Sequence, residues 1–359
     1  MISALAAVRF PEVLRAARLR NASDVHLSPG RPPVFRIDGT LEHSGGPCVT
    51  NEEITSLLEV LLDQSSRSML DRSGDVTVMY GDRTIGTYRV HAYRASGLTN
   101  LAVRLLAASI PRLEELDLPA AVASLLDRNS GLVLVTGPTG SGKSTLLAAL
   151  IDRINRTAAR RIVTAEDPIE YVHLSDRSSI SQRAIPHDVP DFSGAVYGAL
   201  RADLDVLMIG ELRDPATIHA ALVAAETGHL VLATLHTGDA TRSIDRIIGV
   251  FAPEAQSQVR AQLAETLAGI VCLRLIPRAS RSGRIAAAEI LLANEAVRSL
   301  VRESKTHQLR NIMVTGRMAG MQTLEMHLCD LVNCGEITYE SAQAISDRPA
   351  DLHAAQPVA

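Results

Sequence analysis

The sequence is poor in aromatic residues, in cysteine and in long apolar runs. It has no Trp, four Phe and six Tyr, 3% aromatic in all, which leaves little of the stacking surface that non-specific binders of single-stranded nucleic acid need. Lys and Arg number 36 against 40 for Asp and Glu, a formal charge of −4, so the chain has no global attraction for nucleic acid or anionic lipid. No nucleic acid partner is therefore expected. No apolar stretch approaches the ~18 to 20 residues that span a bilayer, so no transmembrane segment is expected either. Residues 1–8 are apolar, but no Lys or Arg precedes them and the run breaks at Arg9, unlike a secretory signal. A cytoplasmic protein is expected, with any membrane association running through a partner or a surface contact. Cys48, Cys272, Cys329 and Cys334 are scattered. Only the last two are close and no second pair completes a zinc site, so buried thiols in a reducing compartment are expected.

What is present is ample apolar content. At 359 residues, 46% apolar and 21% charged, the chain holds two or three folded domains. Residues 1–110 read as a small α+β domain. A helix is predicted over 11–19 and strands over 24–27 and 34–37, with Asp38-Gly39 as a hairpin turn. Thr50 with Glu53 makes a capping box opening a helix whose Ile54, Leu57, Leu58, Leu61 and Leu62 share one side. Strands follow over 76–80, 84–92 and 98–105, with turns at Gly81-Asp82 and Ser96-Gly97. Residues 111–122, which begin at a proline and carry Glu114, Glu115 and Asp117, read as a linker. Over 123–294 the short apolar runs 132–136, 161–165, 206–209 and 230–235 alternate with helical segments. Such runs suit parallel strands covered on both faces, and the alternation implies a doubly wound α/β domain with ligands at the carboxyl ends of its strands. Residues 295–347 read as helical, and 348–359, with Pro349 and Pro357, as a frayed tail.

Gly137-Pro138-Thr139-Gly140-Ser141-Gly142-Lys143-Ser144 fits the phosphate-binding loop at every constrained position, between an apolar strand and a helical run that begins with Thr145. Its glycines let backbone N–H groups curl around phosphate oxygens, Lys143 brings positive charge to the β and γ phosphates of ATP, and the Ser144 hydroxyl can ligate Mg²⁺. Two carboxylates end predicted strands. Glu211 follows 206–209, where it can hold a Mg²⁺-bound water or the attacking water. Glu166 follows 161–165, where it can orient that water towards the γ phosphate. His229 and His236 bracket the strand 230–235; His236, at its carboxyl end, can donate a hydrogen bond to the γ phosphate, and both are candidate nucleotide ligands. Arg83, Arg89, Arg94 and Arg104 fall on predicted strands or turns of the first domain. They make either an exposed sheet face or a set of guanidinium forks that reach a nucleotide on a neighbouring domain, and composition does not choose.

Taken together these residues resemble the secretion-type ATPases, and most of all the type IV pilus retraction motors (PilT-like). Ser23-Asp-Val-His-Leu27 and Pro33-Val-Phe-Arg-Ile-Asp-Gly39 are similar to the family's opening, and the segment 132–145 to its phosphate loop. Thr164-Ala-Glu-Asp-Pro-Ile-Glu170 is similar to its aspartate box, Gly210-Glu211-Leu-Arg-Asp214 to its Walker B end, and the segment 226–237 to its histidine box. The resemblance implies a PAS-like α+β amino-terminal domain, a RecA-like P-loop ATPase domain with a helical carboxyl region, and a homo-hexamer with nucleotide between subunits. It implies that Glu166 is the general base, that Glu211 supports Mg²⁺, and that Arg89 and Arg104 match the nucleotide-sensing arginines. It also implies an inner-membrane pilus platform protein as partner, with the ring peripheral to that membrane. Assembly and secretion motors usually carry a longer amino-terminal extension and a four-cysteine metal insert. The chain shows neither, while Ala296-Val-Arg-Ser-Leu-Val-Arg-Glu303 and Gly320-Met-Gln-Thr-Leu324 resemble the carboxyl helices of retraction motors. Retraction is therefore expected ahead of assembly or type II secretion, ahead of a DNA-directed RecA-like ATPase, and ahead of a catalytically silent ring subunit. Ala165, Leu204 and Gly238 depart from the family's usual residues without removing a catalytic group.

Overall fold

The structure, a computed structural model, describes residues 2–37, 40–82, 86–106, 109–280 and 283–355. Asp38-Gly39 and Arg83 lie outside them. The chain divides into two units, Met1–Ser109 with Glu170–Val172, and Ile110–Ile169 with His173–Ala359.

The first unit runs α1 (Ile2–Leu19), β1 (Asp24–Leu27), β2 (Val34–Ile37), β3 (Thr40–His43), α2 (Asn51–Leu61), α3 (Gln64–Ser73), β4 (Asp75–Asp82), β5 (Gly86–Ala95) and β6 (Leu98–Leu105). Its strands form an antiparallel sheet in the order β3-β2-β1-β6-β5-β4. Burial alternates along β5 and β6. Val90, Ala92, Leu101 and Val103 pack with Phe10, Leu14, Ile54 and Leu70 of the helices, and Arg89, His91 and Arg104, which alternate with them, fall on the opposite face. Thr50 caps α2 reciprocally with Glu53, at 3.1 and 2.7 Å. Ser96 and Gly97 both take positive φ between β5 and β6, the conformation of a two-residue type I′ hairpin. Three expectations change. The first helix starts at Ile2, with Pro11 inside it, because Ala4, Leu5, Ala6 and Ala7 are strong helix formers. Helix α3 lies where polar composition hid any periodicity. Gly81 and Asp82 extend β4, Asp82 opposite Gly86, rather than turning the chain.

In the second unit the segment expected as a linker is packed. Residues Leu113–Leu116 form a 3₁₀ helix, Leu113 is buried, and Glu114 pairs with Arg153. After α4 (Ala121–Ser124) come β7 (Gly131–Thr136), α5 (Lys143–Thr157), β8 (Arg161–Glu166), β9 (Ser179–Ala184), α6 (Phe192–Ala199), β10 (Val206–Ile209), α7 (Pro215–Glu226), β11 (Leu230–Leu235), α8 (Ala240–Gly249), α9 (Pro253–Thr266), β12 (Leu267–Pro277) and β13 (Arg284–Leu292). The sheet has seven strands in the order β13-β12-β7-β11-β10-β8-β9, parallel except for β13. Alternate residues serve two cores: Val133 and Val135 pack with Leu146, Leu150 and Ile154 of α5, while Leu132 and Leu134 pack with Ala221, Ile244 and Leu263 of α7, α8 and α9. Every residue of β7, β10 and β11 is buried, which is why these strands read as unbroken apolar runs.

The helices α10 (Glu295–Arg302), α11 (Leu309–Thr315), α12 (Leu324–Asn333) and α13 (Tyr339–Ile345) complete the unit with a 3₁₀ helix over Pro349–Ala355. Leu352 is 0% exposed, against Leu324, Leu328, Ile276 and Ile285. Residues 349–355 are therefore ordered by one buried leucine, and the frayed tail expected from 348 does not hold there. Two of the four thiols are also not buried: Cys48 and Cys334 are exposed, Cys272 and Cys329 buried. Among the described residues no helix is long and apolar enough to cross a membrane.

Candidate active site

Four neighbouring strands of the second unit, β7, β11, β10 and β8, end side by side. Their registers bring Thr136 next to Leu235 and Ile209 next to both Ala233 and Ala165. The polar residue after each apolar run therefore emerges at one edge of the sheet.

The loop 137–142 leaves β7 and enters α5 at Lys143. Gly137, Gly140 and Gly142 take φ of +141°, +78° and +95°. At Gly137 a Cβ would stand 2.5 Å from the Leu273 carbonyl oxygen, so only glycine fits that turn. Gly142 caps α5 without a side-chain hydrogen bond, and the partial positive charge of a helix N-terminus suits an anion. Ser141 Oγ is buried with no hydrogen-bond partner. An orphan hydroxyl, a glycine-only turn and a helix end without a side-chain cap fit a bound phosphate chain. Lys143, 8% exposed, donates from Nζ to the carbonyls of Gly137 and Pro138 at 2.8 and 3.0 Å. Pro138 and Thr139 form the loop's crest, and Ser144 and Thr145 the first turn of α5. Beside them a cavity of 160 Å³ is lined by Thr145, Leu146, Leu116, Leu118, Leu273 and Leu275.

Lys143 Nζ lies 3.5 Å from His236 Nδ1, and His236 Nε2 lies 3.4 Å from Glu211 Oε1. An ammonium can only donate, so Nδ1 accepts and the imidazole proton sits on Nε2, facing the carboxylate. Glu211 Oε2 accepts from Arg213 Nε at 2.6 Å, and Arg213 Nη1 reaches Asp167 Oδ2 at 3.3 Å. The Glu211 hydrogen bond raises the Arg213 pKa above its ordinary value, against the opposing effect of burial. A continuous run of polar contacts thus crosses all four strand ends, from the loop lysine to the residue after Glu166. Glu166 itself is 7% exposed; its Oε1 accepts from Thr164 Oγ1 at 2.6 Å and from Gln182 Nε2 at 3.0 Å. Among the described residues no group of three or more His, Cys, Asp or Glu is set to hold a metal. A cation here would take Ser144 and Glu211 as its protein ligands and complete its shell with phosphate and water, as Mg²⁺ commonly does.

His229 is not brought to this edge. It precedes β11, where its carbonyl accepts from Gly131 N at the start of β7 and its Nδ1 lies 2.9 Å from the Ala224 carbonyl. At ~3.3 Å per residue, the seven steps along the strand hold it ~23 Å from His236, so within one chain the two histidines do not meet at the same strand ends. Arg89 and Arg104 belong to the first unit, directly opposite each other on β5 and β6. Arg104 Nε donates to Asp24 Oδ1 at 2.8 Å. Burial alone would raise the Asp24 pKa, but the hydrogen bonds from Arg104 and Ser23 hold it below its usual value. Arg213, Thr164 and Gln182 escaped sequence reasoning. Arg213 stands inside a recognised motif and Thr164 two residues before a recognised carboxylate, whereas Gln182 lies on an edge strand with no apolar pattern to mark it.

The chain matches the family described as "Type II/IV secretion system protein" over residues 7–347. It is 39% identical over 341 residues to the type IV pilus retraction ATPase PilT of Pseudomonas aeruginosa, covering 95% of this chain and 99% of that one. It is 39% identical over 311 residues to a twitching motility protein of Neisseria gonorrhoeae, covering 87% and 83%. A crystal structure of the pilus retraction motor PilT with bound ADP superposes with a TM-score of 0.89 at 40% identity, covering 95% and 98%. With an amino-terminal α+β domain, a RecA-like ATPase domain and a phosphate loop at the shared edge of four strands, the chain belongs to the type II/IV secretion system protein family, among its PilT-like ATPases.

Proposed function

We propose that this chain hydrolyses ATP to ADP and phosphate as one subunit of a homo-hexameric ring, and that the ring powers type IV pilus retraction through an inner-membrane platform protein. The observation that carries the hydrolase is the run of contacts from Lys143 through His236, Glu211 and Arg213 to Asp167. In this reading the triphosphate follows residues 137–145, with Lys143 at the β and γ phosphates, and the nucleoside enters the cavity beside Thr145. Glu166 takes the proton of the attacking water; oxygen bonds to the γ phosphorus as the bridging P–O bond breaks, and that electron pair leaves with ADP. Ser144 and Glu211 would hold Mg²⁺, which would supply positive charge to the phosphate oxygens. His236 turns its Nε2 proton from Glu211 to the γ phosphate, so loss of that phosphate changes the partner of the histidine. Arg89 and Arg104 serve the nucleotide of a neighbouring subunit, a role taken from the family likeness.

The direction of work rests on the end-to-end likeness to a retraction ATPase. The ring acts from the cytoplasm, held at the inner membrane by its platform partner. Deleting the gene should leave cells piliated but unable to pull themselves over a surface. Cells without pili would make this an assembly motor, and normal pili with a retained secreted enzyme would make it a secretion motor. Glu166→Gln should still bind ATP but lose turnover, because the amide does not accept the water's proton. Turnover at the parental rate would remove Glu166 as the base.

A further inference from the structure

Gln182 occupies an unusual position for a residue on an edge strand. Strands β8 and β9 run parallel with Thr164 opposite Gln182 and Glu166 opposite Ala184. Thr164 and Glu166, two residues apart, share a face of β8, and the Gln182 side chain lies on that same face one strand over. Its amide nitrogen donates to Glu166 Oε1 at 3.0 Å, the oxygen that also accepts from Thr164 Oγ1. Its amide oxygen accepts from the His173 backbone N–H at 2.8 Å. The His173 ring is buried and its Nδ1 has no hydrogen-bond partner, so the imidazole adds no competing charge; burial lowers its pKa to about 4.

One carboxamide therefore closes the loop 167–172 at both ends, gripping the carboxylate that precedes it and the peptide that follows it. We infer that Gln182 is a positioning residue for hydrolysis, fixing the orientation of the Glu166 carboxylate by hydrogen-bonding one of its two oxygens and coupling that orientation to the loop 167–172. Two donors converging from different strands on one oxygen fix the carboxylate's rotation, and a carboxylate that turns freely presents the wrong oxygen or the wrong lone pair to the attacking water. The loop and the base then move together or not at all. This inference rests on Glu166 being the base.

The two halves of the amide separate in experiment. Gln182→Glu keeps the acceptor for His173 N–H, so the loop stays closed, but it replaces the donor to Glu166 with a like charge. Gln182→Met keeps the length and loses both. In the full-length assembled protein, Gln182→Glu should lower kcat by ~10- to 100-fold, the cost of a misplaced catalytic group. The acid limb of its kcat–pH profile should move to higher pH, because a neighbouring carboxylate raises the pKa of the base. Binding of a fluorescent ADP analogue and ring assembly should stay within twofold of the parent. Gln182→Met should lose kcat similarly without the pH displacement. If Gln182→Glu matches the parent in kcat and pH profile while Gln182→Met fails, the residue only holds the loop and the inference is wrong. Loss of ADP binding or of assembly in Gln182→Glu would equally assign it a structural role. Glu166→Gln assayed in parallel separates the two levels: an inactive Glu166→Gln beside a parental Gln182→Glu overturns this inference alone, whereas an active Glu166→Gln overturns both.

Discussion

The two sheets carry their polar side chains in opposite ways. In the second unit β7, β10 and β11 are buried along their whole length, so along them a charged group can stand only where a strand stops; Glu166, Glu211 and His236 lie at or just beyond strand ends, and Lys143 begins the helix that follows β7. In the first unit helices cover one face only, so every second residue along a strand is available, and Arg89 and Arg104 sit in mid-strand, with Arg104 53% exposed at its side chain. The difference is one of control. Strand-end groups are positioned by a backbone locked between two cores, while mid-strand groups are positioned by their cross-strand neighbours, here Asp24 for Arg104.

The largest effect should come from the strand-end set. Lys143→Ala should abolish measurable hydrolysis and weaken ATP binding while the melting temperature of the nucleotide-free protein changes little, because the ammonium is bonded to two loop carbonyls and supports neither core. Undiminished turnover would break the assignment of the loop. Next, Arg104→Ala should cost ~10³ or more in kcat, as removal of a trans arginine does, and mixing it with Lys143→Ala subunits should restore some activity, since each intact site draws its halves from different chains. Mixed rings that never exceed the sum of the two parents would show that mid-strand and strand-end groups do not serve one site.

Glu289 tests the rule from the other side. It is an ionisable residue in the middle of β13 in the two-sided sheet, 5% exposed, and burial, helped by Asp239 and Glu325 and opposed by the Ala240 N–H, raises its pKa to about 7. A raised folded-state value means its contribution to stability is complete below the unfolded value of 4.5 and is lost as pH rises through about 7. Glu289→Gln, whose amide oxygen can still accept from Ala240 N–H, should match the parent near pH 4.5 and exceed it by about 3 kcal/mol at most at pH 8; urea unfolding at the two pH values measures the difference. The smallest effect belongs to Asp24→Ala. Its partner Arg104 is half exposed though Asp24 itself is only 13% exposed, and pairs open to solvent on one side contribute about 1 kcal/mol, so kcat should fall by about fivefold or less. In an Arg104→Ala background the same change should do nothing further.

The same contrast decides what could be read from the sequence. A two-sided strand is an apolar run ended by a polar residue, so 132–136, 161–165, 206–209 and 230–235 and the residues after them were legible. The edge strand β9, Ser-Ile-Ser-Gln-Arg-Ala, has neither the run nor the alternation, and with it Gln182 went unseen. Strands β12 and β13 were also unanticipated, the second carrying three consecutive alanines that suit a helix equally well. His229 and His236 were legible as the residues that bracket β11, but a motif written along a line does not say that only the one at the carboxyl end meets the loop lysine. Gly238 shows how context explains a departure from family habit: a Cβ there would stand 2.9 Å from the Arg274 guanidinium, so that side chain fills the space a larger residue would take.

The buried Leu352 has a practical consequence for handling the protein. Read as a loose end, residues 348–359 invite trimming, or replacement by a dye, a bead tether or an affinity tag. Yet Leu352 seals an apolar layer over α12, and Asp351 holds Arg310 at 2.5 Å. Cutting at 347 would open that layer to water and release Arg310 from one of its two carboxylate partners, Glu325 being the other. A handle for force or fluorescence measurements should instead be joined beyond Ala355, so that the pull enters through a fastened 3₁₀ helix and not through an unsealed core.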